Sequence, residues 1–426
     1  MMRTILAAAI SLAVGAAPAT AAPAEASSVV DPFYSPPAAV PATPGTVMRT
    51  QPTQHLFNIL GPDFPGHATR MLYTTLTEAD DPVAASGTVI EPTRPWSGKG
   101  PTPTVVIAPG TRGQADSCAP SQGPLMTGNV DLPEQTVAFN YDLMSVYWAT
   151  TAGMRVIVPD YIGLGTPGIH TYVHTWESAR AVLDGARAGL AVAGVPGDSP
   201  VGFYGYSQGG GAAAGAAELH ATYAPELNLR GTFAGAPPAD LEVVMPAVDR
   251  SSIVGVLGYA VNGFAERDPE FAHAIDEVFN DRGRAFLADA AASCIIDSVL
   301  TQAFTDSRTL TTTGESFAEV SERDPRISRV LAAQRLGRAP VTGPIMISNG
   351  VHDDIIPASQ ATQLGRDLCG QGNTVSYLAN LTPPVMPGAR WGINHGAPMV
   401  GDLPASMGYL VDRFNGAPAP DTCGRF

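Results

Sequence analysis

Val201-Gly202-Phe203-Tyr204-Gly205-Tyr206-Ser207-Gln208-Gly209-Gly210-Gly211 is the stretch on which the reading of this chain turns. A short apolar run rich in β-forming residues ends at Tyr206, and the alanine-rich run 212–220 continues from the glycines with good helix formers. Between them lies Gly-x-Ser-x-Gly in the strand–turn–helix context of a nucleophile elbow. The pentapeptide alone carries little weight in a chain with 45 glycines among 426 residues, so the strand before it and the helix after it give it its meaning. The physical reason is steric. A serine at a sharp strand-to-helix turn holds a strained backbone, and close approach around it leaves room only for small residues at Gly205 and Gly209. The plainer reading is a glycine-rich turn that merely opens a helix.

Working outward, strands are expected at 69–77 and 84–90 as a pair joined by the acidic turn 78–82. A Gly/Pro-rich connection, 95–103, leads to a buried strand at 104–108, which ends in Pro109-Gly110-Thr111-Arg112-Gly113. The next strand, 155–159, runs into Asp160-Tyr161-Ile162-Gly163-Leu164-Gly165, and a long helix follows at 175–193. After the elbow come a strand at 231–235, then strands at 344–348 and 374–378 separated by a helix at 359–368. A long loop to His395 and a terminal helix at 405–414 close the chain. Strands alternating with helices imply an α/β fold, a mostly parallel sheet flanked by helices with right-handed crossovers. The alternation stops in 241–340, which reads as helices alone, including the apolar run 253–265; it is expected to be a helical cap inserted between two sheet strands. The remaining divisions are an N-terminal arm with the first strands at 22–100 and a core at 101–240 and 341–426. Within that arm, residues 22–67 show little periodicity and read as an extended wrapping segment.

The chain opens like an exported one. Arg3, the apolar stretch 5–17 and Ala19-Thr20-Ala21 have the order of a signal peptide, residues 1–21, with cleavage near Ala21. Four cysteines, Cys118, Cys294, Cys369 and Cys423, are an even number in an exported chain; two disulfides are expected, and sequence leaves three pairings open. Their spacing fits no zinc pattern, and His170 and His174, four apart, have no third ligand nearby, so neither a metal nor another cofactor is expected. A net charge of −15 argues against nucleic acid or an anionic membrane surface as a partner, and nothing implies an obligate protein partner.

A serine hydroxyl is a poor nucleophile near neutrality and needs an imidazole to take its proton and a carboxylate to hold that imidazole. On this scaffold the partners follow in the order Ser, acid, His, each on a loop after a strand. The strand ending at Ser348 is followed by Asn349-Gly350-Val351-His352-Asp353-Asp354-Ile355-Ile356-Pro357. Asp353 is the expected acid, at the tip of that turn, and Asp354 the second choice; the plainer reading has both capping the helix that follows. His352 adjoins the acid too closely in sequence to bridge it to Ser207. His395, in Trp391-Gly392-Ile393-Asn394-His395-Gly396-Ala397-Pro398, is the expected base. The oxyanion formed on attack needs two N–H donors. They are expected from Gln208, next to the nucleophile, and from Thr111, after the strand 104–108.

Together, Gly205-Tyr206-Ser207-Gln208-Gly209-Gly210-Gly211, Asp353-Asp354-Ile355-Ile356-Pro357 and Asp116-Ser117-Cys118-Ala119-Pro120-Ser121 resemble the secretory lipases, the lipase A-like α/β-hydrolases of fungi and actinobacteria. The resemblance covers about residues 30–420. It implies an α/β-hydrolase fold, a Ser207–Asp353–His395 triad, a helical cap before the acid's strand, and disulfides Cys118–Cys294 and Cys369–Cys423. It also implies hydrolysis of fatty-acid esters; the expected substrate is a lipid or small-molecule ester, which leaves room for transient contact with a lipid interface. The rivals are an acyltransferase with the same triad, a peptidase, and a non-catalytic binding or surface protein that kept the fold.

Overall fold

The computed structural model describes residues 31–61, 63–123, 126–131 and 135–426; the signal peptide expected at 1–21 lies outside them. A nine-stranded sheet organises the chain. Its strands are β1 (Val47–Thr53), β2 (Gly66–Leu76), β3 (Pro82–Pro92), β4 (Thr104–Ala108), β7 (Arg155–Ile162), β8 (Pro200–Tyr206), β9 (Asn228–Gly235), β10 (Ile345–Gly350) and β11 (Val375–Asn380), in the order β1-β2-β3-β7-β4-β8-β9-β10-β11. From β7 to β11 every neighbour is parallel; β1, β2 and β3 form an antiparallel edge that joins at β7. The central strands β4 and β7 are buried along their whole length, which explains the apolar runs 105–108 and 156–158 within them.

The expected arm 22–67 is corrected in one respect: β1 lies inside it and pairs with β2 in antiparallel register. Alternation is absent from Val47–Thr53 because most of this edge strand is solvent-facing, and Pro52 is tolerated there because an edge strand leaves one side of its ladder unpaired. A second element escapes the sequence reading. Between β4 and β7 sit a two-stranded hairpin, β5 (Gly128–Asp131) with β6 (Thr136–Phe139), and the helix α1 (Leu143–Thr151).

Helices cover both faces of the sheet. On one, α2 (Thr175–Val192), α3 (Gln208–Tyr223) and α11 (Ala358–Gly370) bury Ala181, Val182, Ala213, Ala216, Leu364 and Leu368 against the strands. Small residues dominate here, and they let the helices approach closely: a Cβ at Gly189 would meet the Ile157 side chain at 2.2 Å. On the other face, α1 and α13 (Leu403–Phe414) pack Val146, Met407, Leu410 and Phe414 under β4, β7 and β8.

Between β9 and β10 the chain leaves the sheet for seven helices: α4 (Leu241–Val248), α5 (Gly255–Arg267), α6 (Pro269–Val278), α7 (Asp281–Ala291), α8 (Ile295–Gln302), α9 (Phe317–Arg323) and α10 (Pro325–Ala333). No strand occurs in 241–340, as the lost alternation implies. This insertion has a core of its own, in which Phe264, Phe271, Phe279 and Phe317 pack with Ile275 and Ile327. Truncating a fully buried aromatic such as Phe271 to alanine costs about 3–5 kcal/mol, so that core is a substantial part of the fold's stability. Two disulfides fasten the molecule: Cys118–Cys294 ties the loop after β4 to the insertion, and Cys369–Cys423 ties the C-terminus to α11.

Candidate active site

Ser207 sits between β8 and α3 with φ 58° and ψ −124°, a conformation that costs a non-glycine residue about 1–3 kcal/mol. The surrounding packing holds it there. Its N–H donates to the Gly235 carbonyl at 2.8 Å and its carbonyl accepts the Gly211 N–H at 3.0 Å. A Cβ at Gly205 would lie 2.0 Å from the Gly209 carbonyl oxygen, and one at Gly209 would lie 2.0 Å from that of Ala108. Gly210 is under the same constraint, 2.2 Å from the Gly235 oxygen. The run of glycines is thus a packing requirement of the turn and not a generic flexible loop.

The other expected residues converge on this serine across the sheet's carboxyl edge. His395 Nε2 lies 2.9 Å from Ser207 Oγ, and His395 Nδ1 lies 2.8 Å from Asp353 Oδ2. Because a carboxylate only accepts, the ring proton sits on Nδ1, which leaves Nε2 as an acceptor facing Ser207 Oγ. The fully buried Asp353 is held by the amides of Ile355 and Ile356, at 2.9 and 2.8 Å, on its second oxygen. Burial by itself pulls the His395 pKa down, but the negative charges of Asp353 and Asp354 outweigh it and raise the imidazole above its ordinary value.

One local expectation needs correction, and the plainer reading of the two acids fails. His395 is not in a loop: it lies in the first turn of α12 (Ile393–Gly401), a helix hidden from sequence reading by its glycines and by Pro398. Nor do the two acids cap the helix that follows them, since α11 has Pro357 at its start and no side-chain cap. Asp354 instead accepts the Gly392 N–H and the His395 N–H, both at 3.0 Å, and so anchors the start of α12. Adjacent acids therefore do different jobs: Asp353 holds the His395 ring and Asp354 holds its backbone. Tyr206 Oη adds a third hold by donating to the His395 carbonyl at 2.8 Å. His352 is exposed, as expected of a residue outside the site.

Gln208 opens α3, so its amide is among the first-turn donors that lack an intrahelical acceptor. Thr111 lies across the cleft, and among the described residues its amide has no backbone carbonyl as acceptor. The loop carrying Thr111 is rigidly braced. Tyr141 Oη donates to the Thr111 carbonyl at 2.8 Å, the Gly110 amide reaches Asp142 at 3.2 Å, and Asp142 forms a buried ion pair with Arg112. Arg112 also stacks on Tyr141, 4.1 Å from the ring centre. His170 and His174 are not a ligand pair. His170 contacts the Ile162 carbonyl and the Gln208 side chain, whereas His174 pairs with Glu78.

Two clefts meet at Ser207. One, enclosing about 660 Å³ with its mouth included, runs past Thr111 and Gln208 into the helical insertion, where Leu241, Met245, Leu257, Val261, Phe264 and Leu331 line it. The other, about 800 Å³, lies on the His395 side against Tyr141, Ile295, Trp391 and Met399. Ile253 borders both. Polar groups of Thr111, Tyr172, Ser207 and Gln208 line the first cleft at the serine, and within the insertion its walls are hydrocarbon, which suits an alkyl chain.

A serine on a strained strand-to-helix turn, with its carboxylate and histidine supplied later in the chain at the carboxyl edge of a mostly parallel sheet, defines an α/β-hydrolase. The family model described as secretory lipase matches residues 129–422, and the chain belongs to that family. It is 30% identical over 399 residues to a protein of Mycobacterium tuberculosis named "Probable inactive lipase", covering 92% of this chain and 83% of that one. It is 27% identical over 403 residues to a secreted triacylglycerol lipase of Malassezia globosa, covering 92% and 82%. In fold it is similar to Candida antarctica lipase A, with a TM-score of 0.78 at 23% identity over 92% of this chain and 88% of that structure. A rice cell wall degrading esterase, LipA from Xanthomonas oryzae, gives a TM-score of 0.68 at 18% identity, covering 87% and 99%.

Proposed function

We propose that this secretory lipase-family protein hydrolyses carboxylic esters of fatty acids, with Ser207 as nucleophile, His395 as general base and acid, and Asp353 as the carboxylate that orients the imidazole. The observation that carries the proposal is the unbroken chain Ser207 Oγ–His395 Nε2, His395 Nδ1–Asp353 Oδ2. Ser207 attacks the ester carbonyl while its proton passes to His395 Nε2, and the amides of Gln208 and Thr111 receive the developing oxyanion. His395 then protonates the leaving alcohol. Water, deprotonated by the same imidazole, releases the acid from the acyl-enzyme. The alkyl chain would occupy the cleft that runs into the insertion. The residues required carry out this sequence without a metal or cofactor. The family's secretory character and the two disulfides support export after removal of residues 1–21. Exposed Trp391, which meets exposed Phe304 edge-on and borders the second cleft, supports transient contact with a lipid interface.

The test is hydrolysis of p-nitrophenyl esters of two to sixteen carbons by the mature chain and by Ser207→Ala. Activity that survives the substitution overturns the proposal. A non-catalytic role is the second reading, favoured by the name of the mycobacterial relative. A phosphonate probe that failed to label Ser207 in folded protein would establish it. Acyl transfer is separated from hydrolysis by product analysis with an alcohol present.

A further inference from the structure

The segment that follows β7 touches both residues proposed to bind the oxyanion. His170 is buried, and its Nδ1 lies 3.0 Å from the Ile162 carbonyl. A carbonyl only accepts, so Nδ1 carries the ring proton and Nε2 is left as a bare acceptor. The side-chain amide of Gln208 lies 3.0 Å from that Nε2 and fills it. Burial drives the His170 pKa down to about 4, which keeps the ring in the neutral form that this contact needs. Two residues on, Tyr172 Oη lies 2.8 Å from Thr111 Oγ1. The segment is itself clamped. His170 stacks on Tyr161, Tyr172 meets Tyr259 of α5 edge-on at 5.6 Å, and the Gln114 side chain donates to the carbonyls of both His170 and Tyr259.

We propose that His170 and Tyr172 are positioning residues for the oxyanion site, His170 acting through the side chain of Gln208 and Tyr172 through that of Thr111. The inference rests on the ester-hydrolase reading above. Both contacts are made to side chains, whereas the donors are backbone amides of the same residues. Each contact therefore fixes the torsions of a donor without occupying it. Tyr172 also links helix α5, which lines the apolar cleft, to the Thr111 loop, so packing in the insertion bears directly on donor placement.

The test uses the full mature chain with p-nitrophenyl butyrate and a trifluoromethyl ketone that mimics the tetrahedral adduct. His170→Phe keeps a ring but removes the acceptor, and Tyr172→Phe removes only the hydroxyl. Each is expected to lower kcat by about tenfold with KM little changed, and to weaken the ketone by a matching factor. His170→Gln, which restores an acceptor near the Nε2 position, is expected to recover most of the loss. Tyr172→Phe combined with Thr111→Val should cost no more than Thr111→Val alone, because both remove the same contact. Wild-type kcat and ketone affinity within twofold in both single variants would overturn the inference while leaving the ester-hydrolase reading intact. So would additive losses in the Tyr172–Thr111 pair, which remains decisive if His170→Phe does not fold. A wild-type chain inactive on every ester, with Ser207 unlabelled by phosphonate, would remove both readings together.

Discussion

The carboxylate of Asp354 receives the backbone N–H of His395 at 3.0 Å, while the neighbouring Asp353 receives the imidazole of the same residue at 2.8 Å. Two consecutive acids thus hold one histidine by two different handles. Their substitutions should be separable in kind. Asp353→Asn is expected to lower kcat by about 10⁴-fold, since the wrong tautomer is then favoured at Nε2. Asp354→Asn removes a charge from a helix start and one of two oxygens suited to amide donors. Its expected cost is about 1 kcal/mol of stability with a much smaller loss of kcat, read by thermal unfolding and by kcat on p-nitrophenyl butyrate. Equal losses would mean that ring orientation and backbone anchoring are not separate.

The acid limb of the pH profile follows from His395. Only the neutral imidazole can take the serine proton, so kcat/KM should be full above the His395 pKa and fall as pH drops through it. Asp353 and Asp354 hold that pKa above the ordinary histidine value, about 6.5. The half-point of the limb is therefore expected above that value. In Asp353→Asn the residual activity should show the limb moved to lower pH, because a negative charge beside the imidazolium has been lost.

Chain-length preference should be set within the insertion. Leu257 lines the apolar cleft on α5. Leu257→Trp shortens the space available to an alkyl chain and is expected to lower kcat/KM for a twelve-carbon ester by at least about tenfold, with the four-carbon ester changed by less than about twofold. A uniform loss across the ester series would place the acyl chain elsewhere.

The disulfide Cys118–Cys294 closes 176 residues of chain and joins the loop beyond Thr111 to the start of α8. Replacing both cysteines by serine should cost about 2–5 kcal/mol, read as a lower midpoint in urea. The bridge also fixes the strand-like contact of Gly113 with Cys294. The same variant should therefore lose kcat more than the corresponding Cys369–Cys423 variant, whose bridge lies at the C-terminus.

Much of the molecule is legible in its sequence, for reasons that are local. The buried strands β4, β7 and β8 announce themselves by apolar runs, 105–108, 156–158 and 203–204 among them, because both of their faces are covered. Helix α2 was placed by its apolar spacing, and the insertion by the disappearance of strands. Ser207 was identified because the steric demands of its turn are written in the residues on either side of it. Where the signal is weak, the element is one whose partners are remote. β1 reads as irregular because the sheet edge it joins is solvent-facing, and α12 reads as loop because its start is stabilised by Asp354, 41 residues earlier, and not by a cap of its own.

The residues alone point to Ser207, to Asp353 ahead of Asp354, to His395, to two disulfides as a count and to the α/β class. Tertiary structure adds what Asp354 does beside the expected Asp353, selects among the three cysteine pairings that the residues alone leave open, and brings His170 and Tyr172 to Gln208 and Thr111. The physical reason is separation along the chain. His395 and Ser207 are 188 residues apart and become neighbours only when the parallel strands align their carboxyl ends. Adjacent acids differ by one residue in a turn: the turn's tip favours Asp353, and the position of His395 in three dimensions puts Asp353 on the ring and Asp354 on the backbone.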